Sequence, residues 1–160
     1  MKSNKESILQ QQCVYWFRTQ YPHYAMLMTH PINEGSEHSE RDKRRQVIHK
    51  KEGTVAGVPD LLLFMPAVFD DVTYFGLGIE MKTPTGRQSQ EQKDYQKMFE
   101  AAGYKYVVVR SLEEFKQVVN DWIAHVHPEI RREIASAHVE LIKAQDQREK
   151  DFFLKVIGKK

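Results

Sequence analysis

Polar and apolar positions along this chain alternate between two rhythms, one helical and one extended. In residues 3–20, "SNKESILQQQCVYWFRTQ", the helical period gathers Glu6, Gln10, Cys13 and Phe17 on one face, with Ile8, Leu9 and Trp16 on its flank. Ser3 followed by Glu6 forms a candidate capping box. "YAMLMTH" at 24–30 predicts a short strand, and after it the loop "PINEGSEHS" and a basic helix run to Gly53. The glycine-rich turn "GTVAGVP" then leads into "DLLLF" at 60–64. That run and "YFGLGIEMK" at 74–82 are nearly continuous apolar stretches, as expected of strands buried on both faces, and Pro66 and Pro84 close them.

From Ser89 to Ala102 the helical period returns, with Tyr95, Met98, Phe99 and Ala102 in one stripe and Gly103 as the stop. "YKYVVVR" at 104–110 predicts another strand. Ser111 and Glu114 then form a second candidate capping box, ahead of a long amphipathic helix through Leu112, Phe115, Val119, Trp122 and Val126. This order predicts a small α/β domain whose helices cover a central sheet. Pro128 opens a further helix with Ile130, Ile134, Ala137, Leu141 and Ala144 at near-heptad spacing. A lone helix cannot bury such a stripe, so it must pack on the domain or on a partner chain. The expected division is a domain over 1–127 and a helical extension over 128–160, a candidate dimerisation element.

Composition narrows the class. The 160 residues are 41% apolar, 29% charged and 11% aromatic, which suits one folded domain and not a disordered chain. No run approaches the ~18 apolar residues of a membrane span. The polar opening "MKSNKES" predicts no signal peptide. Cys13 is the single cysteine, so an intrachain disulfide is excluded and a reducing compartment such as the cytoplasm is expected. The formal net charge is only +2, but "RDKRRQVIHKK" at 41–51 carries six Lys or Arg against one Asp. Such a patch is either a solvated face or a contact for a phosphate backbone through Arg41, Lys43, Arg44, Arg45, Lys50 and Lys51.

The candidate chemistry lies at the ends of the most apolar runs, where charge is costliest. On a strand, Glu80 and Lys82 point to one side. Asp60 heads the preceding run, and if the two strands are neighbours the two acids converge with Lys82 beside them. Carboxylates held close repel unless a cation lies between them, and oxygen donors suit Mg²⁺ or Mn²⁺. The plain alternative is a Glu80–Lys82 salt bridge with Asp60 as a turn acid after Pro59. The seven histidines are scattered without zinc-like spacing, and "TPTGRQS" lacks the spacing of a nucleotide-phosphate loop.

The segments "GVPD" at 57–60, "IEMK" at 79–82 and "SQEQKDYQKMFEAAGYKYVVVRS" at 89–111 together resemble the VRR-NUC (virus-type replication-repair nuclease) group of the PD-(D/E)xK nuclease superfamily. "THPINEG" at 29–35 resembles the family's strand-end segment more loosely. The resemblance covers about residues 4–123. It implies a restriction-endonuclease-like core with a small central mixed sheet, and a metal-dependent phosphodiesterase acting on DNA. Asp60 and Glu80 would hold Mg²⁺ or Mn²⁺ with the Met81 carbonyl and, by looser analogy, Glu6, whose capping role competes with that reading. Lys82 would be the catalytic lysine, Gln92 the helix glutamine at the site, and Arg87 a further backbone contact.

Branched, flapped or four-way-junction DNA is the expected substrate, cut by a homodimer. Replication or recombination proteins are the expected partners, in a host-cell cytoplasm if the chain is phage-encoded. A non-catalytic DNA-binding or assembly module on the same fold is the alternative, and RNA cleavage a remoter one. "AVFDDVTYFGLG" departs from a tight connection between the two acid-bearing strands and leaves their pairing open, with Asp70 and Asp71 read as turn residues.

Overall fold

The computed structural model describes residues 4–31, 47–49 and 51–157, with the side chains of 153, 154, 156 and 157 outside the description. It divides into two compact units, 1–126 and 127–160. The first opens with α1 (Asn4–Gln20), whose buried residues are Glu6, Gln10, Cys13 and Phe17. The helical period in the sequence therefore identified the inward face, two polar residues included. Ser3, the proposed cap of this helix, lies outside the described residues.

Residues 24–30 depart from expectation. A 3₁₀ segment spans Pro22–Leu27, and only Met28–Thr29 form a strand, β1. Pro22 supplies the fixed φ that opens such a turn. Tyr21 and Tyr24, stacked with centroids 6.0 Å apart, hold the segment against α1 through Phe17.

The sheet runs β1, β2 (Leu61–Leu63), β5 (Leu77–Met81), β6 (Lys105–Val109). The β1–β2 and β2–β5 pairs are antiparallel and β5–β6 is parallel, so the sheet is mixed. All five residues of β5 are buried, as the unbroken apolar run predicts for a central strand. The long connection between β2 and β5 folds into its own hairpin, β3 (Ala67–Phe69) and β4 (Val72–Tyr74). Asp70 and Asp71 form its two-residue turn, both at positive φ (48° and 65°), the conformation that matches strand twist in tight hairpins. Because the hairpin absorbs the extra residues, β2 and β5 still pair directly, Leu61 opposite Ile79.

Helices α2 (Gln90–Ala101) and α3 (Leu112–Ala124) flank the sheet. Phe115, Val119 and Trp122 of α3 are buried, and the Trp122 indole donates to the Met65 carbonyl at 3.0 Å. Ser111 caps α3 by accepting from the Glu114 amide. The Glu114 carboxylate accepts from the Arg110 amide, one residue before the cap, so the box closes one position earlier than expected. The second unit is α4 (Pro128–Ile157), a 30-residue helix. Among the described residues no helix is long and apolar enough to cross a membrane.

Candidate active site

The site forms where β2 and β5 meet. One step beyond the Leu61–Ile79 pair, the antiparallel register brings Asp60 beside Glu80. Asp60 is 6% exposed and its Oδ2 accepts from the Met81 amide at 2.8 Å, which pins the carboxylate across the two strands. Glu80 is 1% exposed. Its Oε1 accepts from Lys82 Nζ at 2.7 Å and from Gln92 Nε2 at 2.5 Å, and its Oε2 accepts from the Tyr106 hydroxyl at 3.3 Å. Three donors from three elements therefore converge on one buried carboxylate. Burial raises the Glu80 pKa above its ordinary value, and the neighbouring Asp60 charge raises it further, against the opposing pull of Lys82.

Local sequence explains why these groups meet. Gly57 sits at φ +87°, and a Cβ there would lie 2.2 Å from the Glu91 carbonyl oxygen. Only glycine lets the "GVPD" turn lie against the first turn of α2. Gly78 is constrained in the same way, since its Cβ would meet the Phe99 ring at 2.8 Å and Pro59 at 2.9 Å. Ser89 accepts from the Gln92 amide while Gln92 Oε1 accepts from the Ser89 amide, a complete capping box. The other end of the Gln92 amide is the donor to Glu80. One side chain thus closes the helix and reaches the acid.

Glu6 is buried on α1, and its Oε1 accepts from the Thr83 amide at 3.2 Å, just beyond Lys82. Arg87 is exposed on the loop leaving β5, and Lys51 is exposed as well. Arg41, Lys43, Arg44, Arg45 and Lys50 lie outside the described residues. Two residues at the site were not anticipated as functional. Tyr106 is buried, and desolvation and then the Glu80 charge push its hydroxyl above the ordinary phenol range. His30 Nδ1 lies 2.7 Å from the Asp60 carbonyl oxygen. Tyr106 shares the Glu80 face only through the parallel β5–β6 register, which sequence alone does not give. Cys13 is buried with its thiol pKa pushed up to about 12, in keeping with an inert core residue.

A family model for the VRR-NUC domain matches residues 4–113, which includes every element that builds this site. The chain belongs to the VRR-NUC family. A solved structure described as a VRR-NUC domain protein superposes with a TM-score of 0.63, covering 79% of this chain and 93% of that one. At 22% identity that likeness speaks for the fold. No curated protein matches the chain. As a VRR-NUC domain it has a nuclease-type fold, and the match ends at the start of α3, before the 127–160 unit.

Hard oxygen donors fit this VRR-NUC site to a divalent cation. Asp60 and Glu80 are both buried and Lys82 pairs with Glu80, so the two carboxylates lie in a desolvated corner that a cation would complement. Among the described residues no group of three or more His, Cys, Asp or Glu side chains could hold a metal ion. A two-carboxylate donor set is what Mg²⁺ uses when water and substrate phosphate complete its shell.

Proposed function

We propose that this VRR-NUC protein is a Mg²⁺- or Mn²⁺-dependent endonuclease that hydrolyses DNA phosphodiester bonds in branched, flapped or four-way-junction DNA. The observation that carries the reading is the convergence of Lys82, Gln92 and Tyr106 on Glu80, with Asp60 beside it, at a sheet end otherwise occupied by core residues. Three hydrogen bonds to one buried acid hold it in a fixed position, as catalysis requires of a ligand or base. Asp60, Glu80 and the Met81 carbonyl would hold the metal, while Glu6, which does not complete a three-acid group with them, would anchor the Thr83 amide behind Lys82. When bound, the metal supplies Lewis-acid stabilisation of the phosphoryl oxygens and a more acidic water.

The residues of the chain then have separate tasks. Asp60 is oriented by the Met81 amide, Glu80 by its three donors. Lys82 carries a positive charge beside the acids, where it neutralises charge that develops on the phosphoryl group. Gln92 fixes the distance between α2 and Glu80. Arg87, Lys51 and the basic stretch at 41–50 would hold the DNA backbone. The reading extends to a homodimer paired through residues 128–160 and acting in the cytoplasm with replication or recombination proteins.

The test is cleavage of labelled linear, single-stranded, flapped and four-way-junction DNA in Mg²⁺ and in EDTA, with Glu80→Ala and Lys82→Ala beside the wild type. Metal-dependent cutting that falls by about 10²-fold or more in both variants, with DNA affinity retained, is the expected outcome. Tight binding without cutting in the wild type would favour the non-catalytic module.

A further inference from the structure

Alongside the face of α1 that carries Glu6 and Gln10 inward runs a second stripe: Ser7, Gln11, Val14, Tyr15 and Arg18. These residues, with Gln10, Thr19 and His30, line an open groove of about 650 Å³. Two of its lining residues adjoin residues of the candidate active site. His30 contacts the Asp60 carbonyl, and Gln10 follows Glu6 by one turn on the buried face.

Its chemistry is distinctive. No acid lines it. Arg18 is exposed and makes no ion pair among the described residues, and Tyr15 is 75% exposed, an unusual placement for a ring of that size. The remaining polar lining is one imidazole and the neutral side chains Ser7, Gln10, Gln11 and Thr19, of which Gln11 donates to Ser7 and Thr19 to the Tyr15 carbonyl. From Ser7 to Thr19 the helix advances about 18 Å, enough for several stacked nucleotides at ~3.4 Å each. A guanidinium for phosphate, a ring face for a base and amides for base or sugar edges are the parts of a single-strand track. Among the described lining residues a peptide partner would find one aliphatic side chain, the half-buried Val14.

We propose that this α1 groove binds the unpaired arm of the nucleic-acid substrate, with Tyr15 stacking on a base and Arg18 contacting a phosphate. The inference rests on the nuclease reading and gives it a substrate feature: a single-stranded segment leaving the acid pair past His30. A substrate with such an arm binds more tightly than a blunt duplex. Tyr15 and Arg18 act as binding residues.

The experiment is fluorescence anisotropy of the full-length protein in EDTA with two labelled DNAs, a blunt hairpin duplex and the same duplex with a single-stranded arm. Tyr15→Ala weakens binding of the armed duplex by about tenfold or more, and Tyr15→Phe restores it. Arg18→Ala lowers the slope of affinity against salt by about one for the armed duplex. The blunt duplex changes less than twofold in every variant. Both side chains are exposed, and thermal melts of each variant establish that the fold is kept.

Armed-duplex affinity within twofold of wild type in both alanine variants overturns the proposal, as it would if the groove takes a protein segment instead. Equal losses on the armed and blunt duplexes overturn it too, because the groove would then contact paired DNA. Failure of the nuclease reading is visible separately. A wild type that binds the arm through Tyr15 but cuts nothing in Mg²⁺ loses the catalytic assignment and keeps the groove.

Discussion

At Glu80, function and stability pull in opposite directions. A buried carboxylate whose pKa is raised by desolvation and by Asp60 holds its proton more readily folded than unfolded. The native state therefore binds more protons than the unfolded state between the two pKa values, and stability is lost as pH rises through the folded one. Glu80→Gln keeps the shape and an acceptor for Lys82 and Gln92 but removes the charge. Its melting temperature in EDTA is expected to exceed that of the wild type at pH 8. The gap should close as pH falls below about 4, where an ordinary glutamate is also protonated. Adding Mg²⁺ should reverse the order, raising the wild-type Tm while leaving the variant unmoved, because a ligand that binds only the folded state stabilises it by mass action. Melting curves at four pH values, with and without metal, check both halves. A variant no more stable than wild type at pH 8 would mean that Lys82 already compensates the buried charge. Asp60, Glu80 and Lys82 were legible in the sequence because charge at the edge of an apolar run is conspicuous. Tyr106 and His30 were not, because a tyrosine in a strand and a histidine before a proline look the same whether or not they touch an acid.

The elements that hold these residues were legible to different degrees, for physical reasons. Long periodic segments such as α1 and α3 disclosed their buried faces. Residues 24–30 did not, because Tyr, Met and Leu are at home in strands and the turn beginning at Pro22 precedes the apolar run. The hairpin at 67–74 was hidden for another reason: Asp-Asp supplies two positive-φ residues without the glycine that usually announces such a turn. The role of α2 separates into two measurable parts. Ser89→Ala and Gln92→Ala each remove half of the capping box and should each cost about 1 kcal/mol of stability. Only Gln92→Ala also removes the donor to Glu80, so it should lower kcat by about tenfold more than Ser89→Ala at matched stability. Equal kcat in the two variants would confine Gln92 to the cap. Gly57→Ala tests the same junction from the other strand. Its left-handed φ and the 2.2 Å approach to Glu91 predict a loss of about 2–4 kcal/mol, read by urea denaturation.

On the scale of the whole molecule, the VRR-NUC match accounts for 4–113 and leaves the 30-residue helix α4 to explain. Fold class followed from the order of elements, but the parallel pairing of β5 with β6 did not, since pairing direction depends on contacts distant in sequence. Helix α4 extends about 45 Å and exposes Val139, Leu141 and Ile142, each more than two-fifths accessible. Exposed apolar side chains on a helix are poorly matched to water, and the pairing we propose for them is a two-fold one with a second copy. A four-way junction needs two opposed cuts, and a dimer supplies two sites in fixed relation. The expected result is a dimer mass by sedimentation equilibrium at micromolar concentration. The paired change Leu141→Glu with Ile142→Glu should convert it to a monomer with the helical circular dichroism retained. That monomer should still nick a flap but should leave four-way junctions cut on one strand at a time. A wild type that sediments as a monomer, with and without DNA, removes the pairing role from α4 and leaves the nuclease assignment to stand on the Asp60–Glu80–Lys82 site alone.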